Sequence, residues 1–273
     1  MASPAELYVN GVRKKMQYYY AAWLPNEVLR LGDVGTLEKR TFFRHKTSLD
    51  LLGIKFATRE DPFPTPFDLL SEKGVQLAYK LAGEVNPKAP NIPQAKAGVA
   101  VDFSAKGAFV IRAPLTYEPA IEDIATLEAQ ILDLYKKGRW NKEWVVIAKL
   151  VTAPSATILI SRSSEGKIEL SAEAQLAAGT SVQLGEANLK LNVSFVSGDI
   201  LSMKDAQNVT PFFQLIGIKR RWFQEDTVKS LRVDGFSGDP LDEITPVMVL
   251  ENEKVANSLY LDLIWEPVSP TED

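Results

Sequence analysis

At 273 residues, with 45% hydrophobic and 24% charged side chains, the chain has the make-up of a globular protein able to bury a substantial core. Its net charge of −4 at pH 7 argues against nucleic acid as the main partner, which would call for a basic excess or stripe. The absence of cysteine excludes disulfides, thiolate catalysis, cysteine zinc sites and palmitoylation, and the single histidine, His45, excludes a multi-histidine metal centre.

The first residues show no basic region followed by an apolar run, so no secretory signal is expected. No stretch reaches the roughly 18–20 apolar residues of a transmembrane helix. Together these predict a cytoplasmic protein that meets a membrane peripherally or through rearrangement. Residues 5–23 predict a helix with a loose apolar stripe of Leu7, Val9, Val12, Met16, Tyr19, Tyr20 and Trp23, carrying Arg13, Lys14 and Lys15. Residues 31–35 read as a turn, 41–44 as a short strand, and 49–56 as either a helical turn or a strand. Pro62, Pro64 and Pro66 predict irregular chain over 60–68.

From Gly74 the period becomes two. Val75, Leu77, Tyr79 and Leu81 alternate with Gln76, Ala78, Lys80 and Ala82, and Val99, Val101 and Phe103 with Ala100, Asp102 and Ser104. Residues 74–112 therefore predict three short antiparallel strands. Residues 118–137 predict the best helix of the chain, with Ile121, Ile124, Leu127, Ile131, Leu134 and Tyr135 on one face and Pro119 near the first turn. A buried strand follows at 145–151, interrupted at Pro154 and resuming at 157–161.

The clearest alternation places Ile168, Leu170, Ala172, Ala174 and Leu176 on one side and Lys167, Glu169, Ser171, Glu173 and Gln175 on the other. Leu189, Leu191, Val193 and Phe195 repeat it against Lys190, Asn192 and Ser194. Such a ribbon either caps a soluble core or, if it rearranges, lines a membrane pore. An apolar run at 211–218 leads into Lys219, Arg220, Arg221 and Trp222. A short helix at 223–233, an acidic turn at 234–243 and strands at 247–250 and 258–265 complete the expectation. The predicted architecture is a single α+β domain, 1–273, with a large, mostly antiparallel twisted sheet and a long helix between two strand-rich halves.

No G-x-S-x-G elbow, Walker loop, G-x-G-x-x-G, H-E-x-x-H or EF-hand spacing occurs, so neither enzyme activity, cofactor nor metal is expected. His45 lies in a charged context, where a solvated side chain outweighs a general base. Asp234, Asp239, Asp242 and Glu243 fit a solvated turn better than a calcium loop. Asp239 and Asp242 also bound a candidate protease site. Two basic clusters beside aromatics are candidate contacts for anionic lipid: Arg13, Lys14 and Lys15 with Trp23, and Lys219, Arg220 and Arg221 with Trp222. The alternative for each is a charged helix face and an edge-strand guard.

The helix at 5–23, strands at 74–112, helix at 118–137 and strands at 156–197 together resemble the layout of the gasdermin pore-forming domain. That resemblance implies membrane permeabilisation by homo-oligomers built from amphipathic hairpins, with Lys80, Asp102, Glu169 and Lys190 lining the lumen. It also implies a short regulatory tail, 223–273, released by a protease. Two departures stand beside it: there is no cysteine for the acylation seen in bacterial relatives, and no long C-terminal repressor domain like that of animal gasdermins is expected. The rival reading is a non-catalytic binding or scaffold protein, which would hold a partner along an apolar groove or sheet edge or assemble with itself.

Overall fold

The computed structural model describes residues 2–16, 18–39, 41–173, 176–181, 190–220 and 263–267. In chain order the elements are helix α1 (Pro4–Lys15) and strands β1 (Tyr20–Ala21), β2 (Asp33–Glu38), β3 (Phe42–Ser48), β4 (Thr58–Arg59), β5 (Thr65–Leu70), β6 (Val75–Lys80), β7 (Gly98–Phe103), β8 (Phe109–Thr116) and β9 (Ala120–Ile121). Helix α2 (Ile124–Lys136) follows, then β10 (Val145–Ser161), β11 (Gly166–Ala172), β12 (Leu191–Ser197), β13 (Ile200–Arg220) and β14 (Leu263–Pro267). Every pairing among them is antiparallel, and with two helices the described fold is α+β.

β10 and β13 form the spine of the larger sheet, paired from Val145↔Gly217 to Ser161↔Ile200. Along its other edge β10 takes β2, then β9, then β8, and β5 extends the sheet from β8. A second sheet has the order β12-β11-β7-β6. The upper part of the large sheet is covered on both faces. Tyr8, Val9 and Val12 of α1 pack on Phe109, Ile111, Ile158 and Ile160. From the other side Val110 and Leu159 meet Val99, Val101, Phe103, Ile168 and Leu170 of the second sheet. The lower part carries α2, whose Leu127, Ile131 and Leu134 pack with Val34, Trp140 and Val146. Each such side chain contributes about 1.5–3 kcal/mol when fully buried.

Both helices are shorter than their apolar stripes suggest. α1 starts at a capping box: the Ser3 hydroxyl accepts from the Glu6 N–H at 3.2 Å, and the Glu6 carboxylate accepts from the Ser3 N–H at 2.7 Å. It stops at Lys15 instead of 23, because Tyr18 takes φ 69° and Tyr20–Ala21 pair as a strand with Phe213 and Phe212. Stacking of Tyr20 on Phe213, at 5.8 Å between ring centroids, outweighs the helical period there. α2 starts at Ile124 instead of 118, since the Asp123 carboxylate caps it by accepting from the Thr126 N–H at 2.9 Å. Pro119 lies before it, its carbonyl accepting from the Leu150 N–H.

Two prolines stand inside strands. β5 passes through Pro66 where its register with β8 shifts between Thr65 and Phe67. β10 likewise runs on through the exposed Pro154, between register shifts at Val151/Ala153 and Ala156/Ile158. In each case a missing donor is tolerated because the ladder is already irregular. Asp33–Glu38, which includes part of the predicted turn at 31–35, is strand β2 and pairs with β3. Of the two readings of 49–56, the strand does not form; residues 49–53 are turns, one of them helical in its bonding, with the Leu52 N–H donating to the Ser48 carbonyl at 3.1 Å. The predicted elements at 223–233, 234–243 and 247–250 lie outside the described residues; of 258–265, residues 263–265 fall in β14.

Candidate functional site

The two sheets are built from the same four ribbons. β5 runs on into β6 through 71–74, β7 into β8 through 104–108, β10 into β11 through 162–165, and β12 into β13 through 198–199. The larger sheet carries β5, β8, β10 and β13 side by side, and the smaller carries their continuations β6, β7, β11 and β12 in the same order. One four-stranded sheet is therefore folded over on itself. The central pair turns the corner in register: Ile160 faces Phe109 in one sheet, and six residues along each strand Gly166 faces Phe103 in the other. Hydrogen bonds continue around the bend, with the Gly107 N–H donating to the Ser161 carbonyl and the Arg162 N–H to the Asp199 carbonyl. Gly107 and Gly198 supply the left-handed backbone, at φ 78° and 76°.

The inside of this fold is apolar along its length. Leu70, Val75, Leu77, Val99, Val101, Phe103, Val110, Leu159, Ile168, Leu170 and Ala172 share one cluster. A clamp spans the fold near its open end. The Arg112 guanidinium on β8 is paired with Asp68 on β5 at 2.6 Å and donates to the Tyr79 hydroxyl on β6 at 2.9 Å. Neither Arg112 nor Asp68 was picked out by periodicity, although each is a lone charge inside an otherwise apolar or neutral strand, which is the available signal.

The opposite face of the small sheet carries the polar partners, but it is not wet. Glu169 is 0% exposed and Lys80 1%. The loop 81–97 lies across them as a strap. Its Asn91 donates to Glu169 through the backbone N–H (2.9 Å) and Nδ2 (3.0 Å), while Lys167 Nζ approaches the same carboxylate at 3.1 Å. Lys80 Nζ donates to the carbonyls of Pro93, Gln94 and Lys96 at 2.7–3.2 Å. Burial pushes the Lys80 ammonium below the ordinary lysine range, against the pull of Glu84. The wetted ribbon face expected from alternation is thus corrected at these positions: a loop hides it. β12 brings a second correction. Val193 faces Leu170 but Phe195 faces Glu169, because a bulge between them turns Phe195 to the other side from Leu191.

On α1, Lys14 and Lys15 are exposed and Arg13 is half-buried, its guanidinium 5.5 Å from the Tyr20 ring centroid. Trp23 is partly buried, its ring 5.9 Å from that of Tyr8, and it packs against the core that α1 covers. The helix rests directly on the corner of the second ribbon: a Cβ at Gly107 would overlap Leu7, and one at Gly11 would meet the Phe109 ring at 2.9 Å. Tyr8 is fully buried there, and among the described residues its hydroxyl has no hydrogen-bond partner; burial raises its pKa. Beside it the Tyr19 hydroxyl donates to Glu118 at 3.1 Å, and Lys149 pairs with the same carboxylate.

Lys219 and Arg220 end β13, while Arg221, Trp222, Asp239 and Asp242 lie outside the described residues. Lys219–Arg220 thus stand at the far end of the spine from the corners, and α1 with its basic residues covers the corner region. His45, half exposed on β3, is 3.6 Å from Asp33. Among the described residues no group of acidic or histidine side chains is arranged to hold a metal ion, and no helix is long and apolar enough to cross a membrane.

No protein-family model matches the chain, and no curated protein matches it. Among solved structures it is similar to a gasdermin A3 membrane pore determined by cryo-electron microscopy, at 8% identity over 82% of this chain and 92% of that one. The TM-score is 0.29, so the two backbones superpose loosely.

Proposed function

We propose that this protein permeabilises membranes: its folded ribbons straighten, insert, and close with those of other copies into one barrel. The observation that carries the reading is the matched order of four strands in both sheets, with a continuous apolar face on the inside of the fold. Straightened, the ribbons run over 65–80, 98–116, 145–172 and 191–220, each longer than the roughly 9–11 residues a membrane strand needs. One face would be the present interior. The other would carry Lys80, Asp102, Lys167, Glu169 and Ser171 toward a water-filled lumen. In water, opening the fold loses about 25 cal/mol for each Å² of apolar surface exposed; in hydrocarbon that loss vanishes. Lipid does not satisfy the edges of an open sheet, so insertion demands closure among copies.

Lys14 and Lys15, exposed on α1 with Arg13 behind them, would meet anionic headgroups in this reading. Because α1 rests on the Gly107 corner, its attachment to a bilayer would remove a brace from the second ribbon. Proteolysis in the tail, between Asp239 and Asp242, is the trigger we assign. The test is dye release from phosphatidylserine-rich and from purely zwitterionic vesicles, using intact and nicked chain. Release confined to the anionic vesicles, with rings visible in the lipid, is expected. Silence from both forms of the chain on both vesicles overturns the reading. In the Lys14→Ala/Lys15→Ala double variant, at about 1 kcal/mol per basic residue, vesicle affinity should fall roughly 30-fold. Unchanged affinity would remove α1 from the contact surface.

A further inference from the structure

The strap over the second sheet is more than a long connection. Its residues 81–97 join β6 to β7, strands that pair directly from Val75↔Phe103 to Lys80↔Gly98. Two to five residues suffice for such a hairpin. The surplus chain doubles back over the sheet's polar face, with Ala89 and Ile92 against Ala100, and Gly98 leaves the space that Ile92 fills. Gly83 and Gln94 close the base of the strap by mutual hydrogen bonds, the Gly83 N–H to the Gln94 carbonyl at 2.8 Å and Gln94 Nε2 to the Gly83 carbonyl at 3.3 Å.

What lies beneath is chemically unusual. Lys80 and Glu169 would each be hydrated if the strap lifted. Docked, they depend on it for their partners: four strap carbonyls for Lys80, those of Leu81, Pro93, Gln94 and Lys96, and both donors of Asn91 for Glu169 beside Lys167. Charges buried in this way add little net stability, because desolvation opposes the attraction, but they are strongly selective for one geometry. Water competes well for both ions, so an arrangement of this kind holds firmly while closed and leaves little uncompensated charge once open.

We propose that the strap is an intramolecular catch: the Asn91–Glu169 pair, seated over Lys167, keeps the β6–β7 hairpin folded back on its own sheet, and its release is the step that frees that hairpin to straighten. The regulatory part of this inference rests on the membrane reading above; the mechanical part, that the strap holds the sheet, does not.

Hydrogen exchange on the full chain separates the two. Asn91 is exposed, so Asn91→Ala is a mild surface change that leaves the backbone donor in place. Loss of its bond to the carboxylate should make the strap amides of Gly83, Ile92 and Lys96, and with them the β6–β7 ladder, exchange about tenfold faster. The β10–β13 ladder should exchange as in the parent. Glu169→Gln, which keeps the shape and removes the charge facing Lys167, should act in the same direction. Faster strap exchange with an unchanged β6–β7 ladder would overturn the proposal, and so would no change in the strap. Dye release from phosphatidylserine-rich vesicles by nicked Asn91→Ala should start several-fold sooner than with the nicked parent. Release at the parent's rate despite a loosened ladder would show that the strap holds the sheet without governing insertion, which also overturns it. If parent and variant both stay silent, intact and nicked, the membrane reading fails, and exchange still decides whether the catch exists.

Discussion

Tyr8 is the residue at which α1 pays most for its place. Its ring is well used, edge-on to Phe109 at 5.4 Å, but its hydroxyl is buried without a partner among the described residues. A buried hydroxyl left unbonded costs about 1–3 kcal/mol. Tyr8→Phe should therefore stabilise the chain by about 1 kcal/mol and raise Tm by about 2–4 °C, measured by thermal unfolding. If α1 must lift for the ribbons to open, the same variant should release dye more slowly. A fall in Tm would show that the hydroxyl has a partner after all. For several residues that matter here, periodicity does not show the surroundings of the side chain. Arg112, Lys80 and Glu169 each break or follow an alternation as any solvated charge would, and it is their long-range partners Asp68, Pro93 and Asn91 that make them buried or clamped.

At the scale of elements, α1 depends on its first turn. The Ser3 backbone N–H, and after it the Lys39 ammonium, hold the Glu6 carboxyl down to about 2 from its ordinary 4.5. Because the folded value is the lower one, this support is complete above about pH 4.5 and is lost as the pH falls toward 2. Far-ultraviolet circular dichroism of the parent against Glu6→Gln should show helix loss across that window in the parent and a flatter profile in the variant. Identical profiles would mean that the capping box does not hold α1. Which elements could be read from the chain follows from the same physics. Alternation over 75–80, 98–103 and 166–172 marks strands because one side of each is in the core. The strand at Tyr20–Ala21, the passage of β5 through Pro66 and the continuity of β10 past Pro154 could not be read. Each is decided by a partner strand far away in sequence, which overrides local propensity.

At the scale of the whole molecule, the central feature is that two sheets are one sheet, bent. Alternation announces that there are ribbons with an apolar face. It does not say that the strands on both sides of each corner keep the same neighbours, since that is a property of pairing alone. The cysteine-free sequence makes the bend directly measurable, because two introduced cysteines at Thr65 and Leu81 would carry the only spin labels on the chain. These positions are exposed, one at the start of the first ribbon and the other one residue past its end, and the ribbon doubles back so that Tyr79 reaches Arg112 beside Asp68. In solution the labels should report a short separation, on the order of the ~10 Å between packed sheets plus the label arms. On phosphatidylserine-rich vesicles the distance in the nicked chain should lengthen to about 50 Å, the span of a straight strand of that length. A short distance that persists on vesicles while the chain is bound and dye is released would contradict the account.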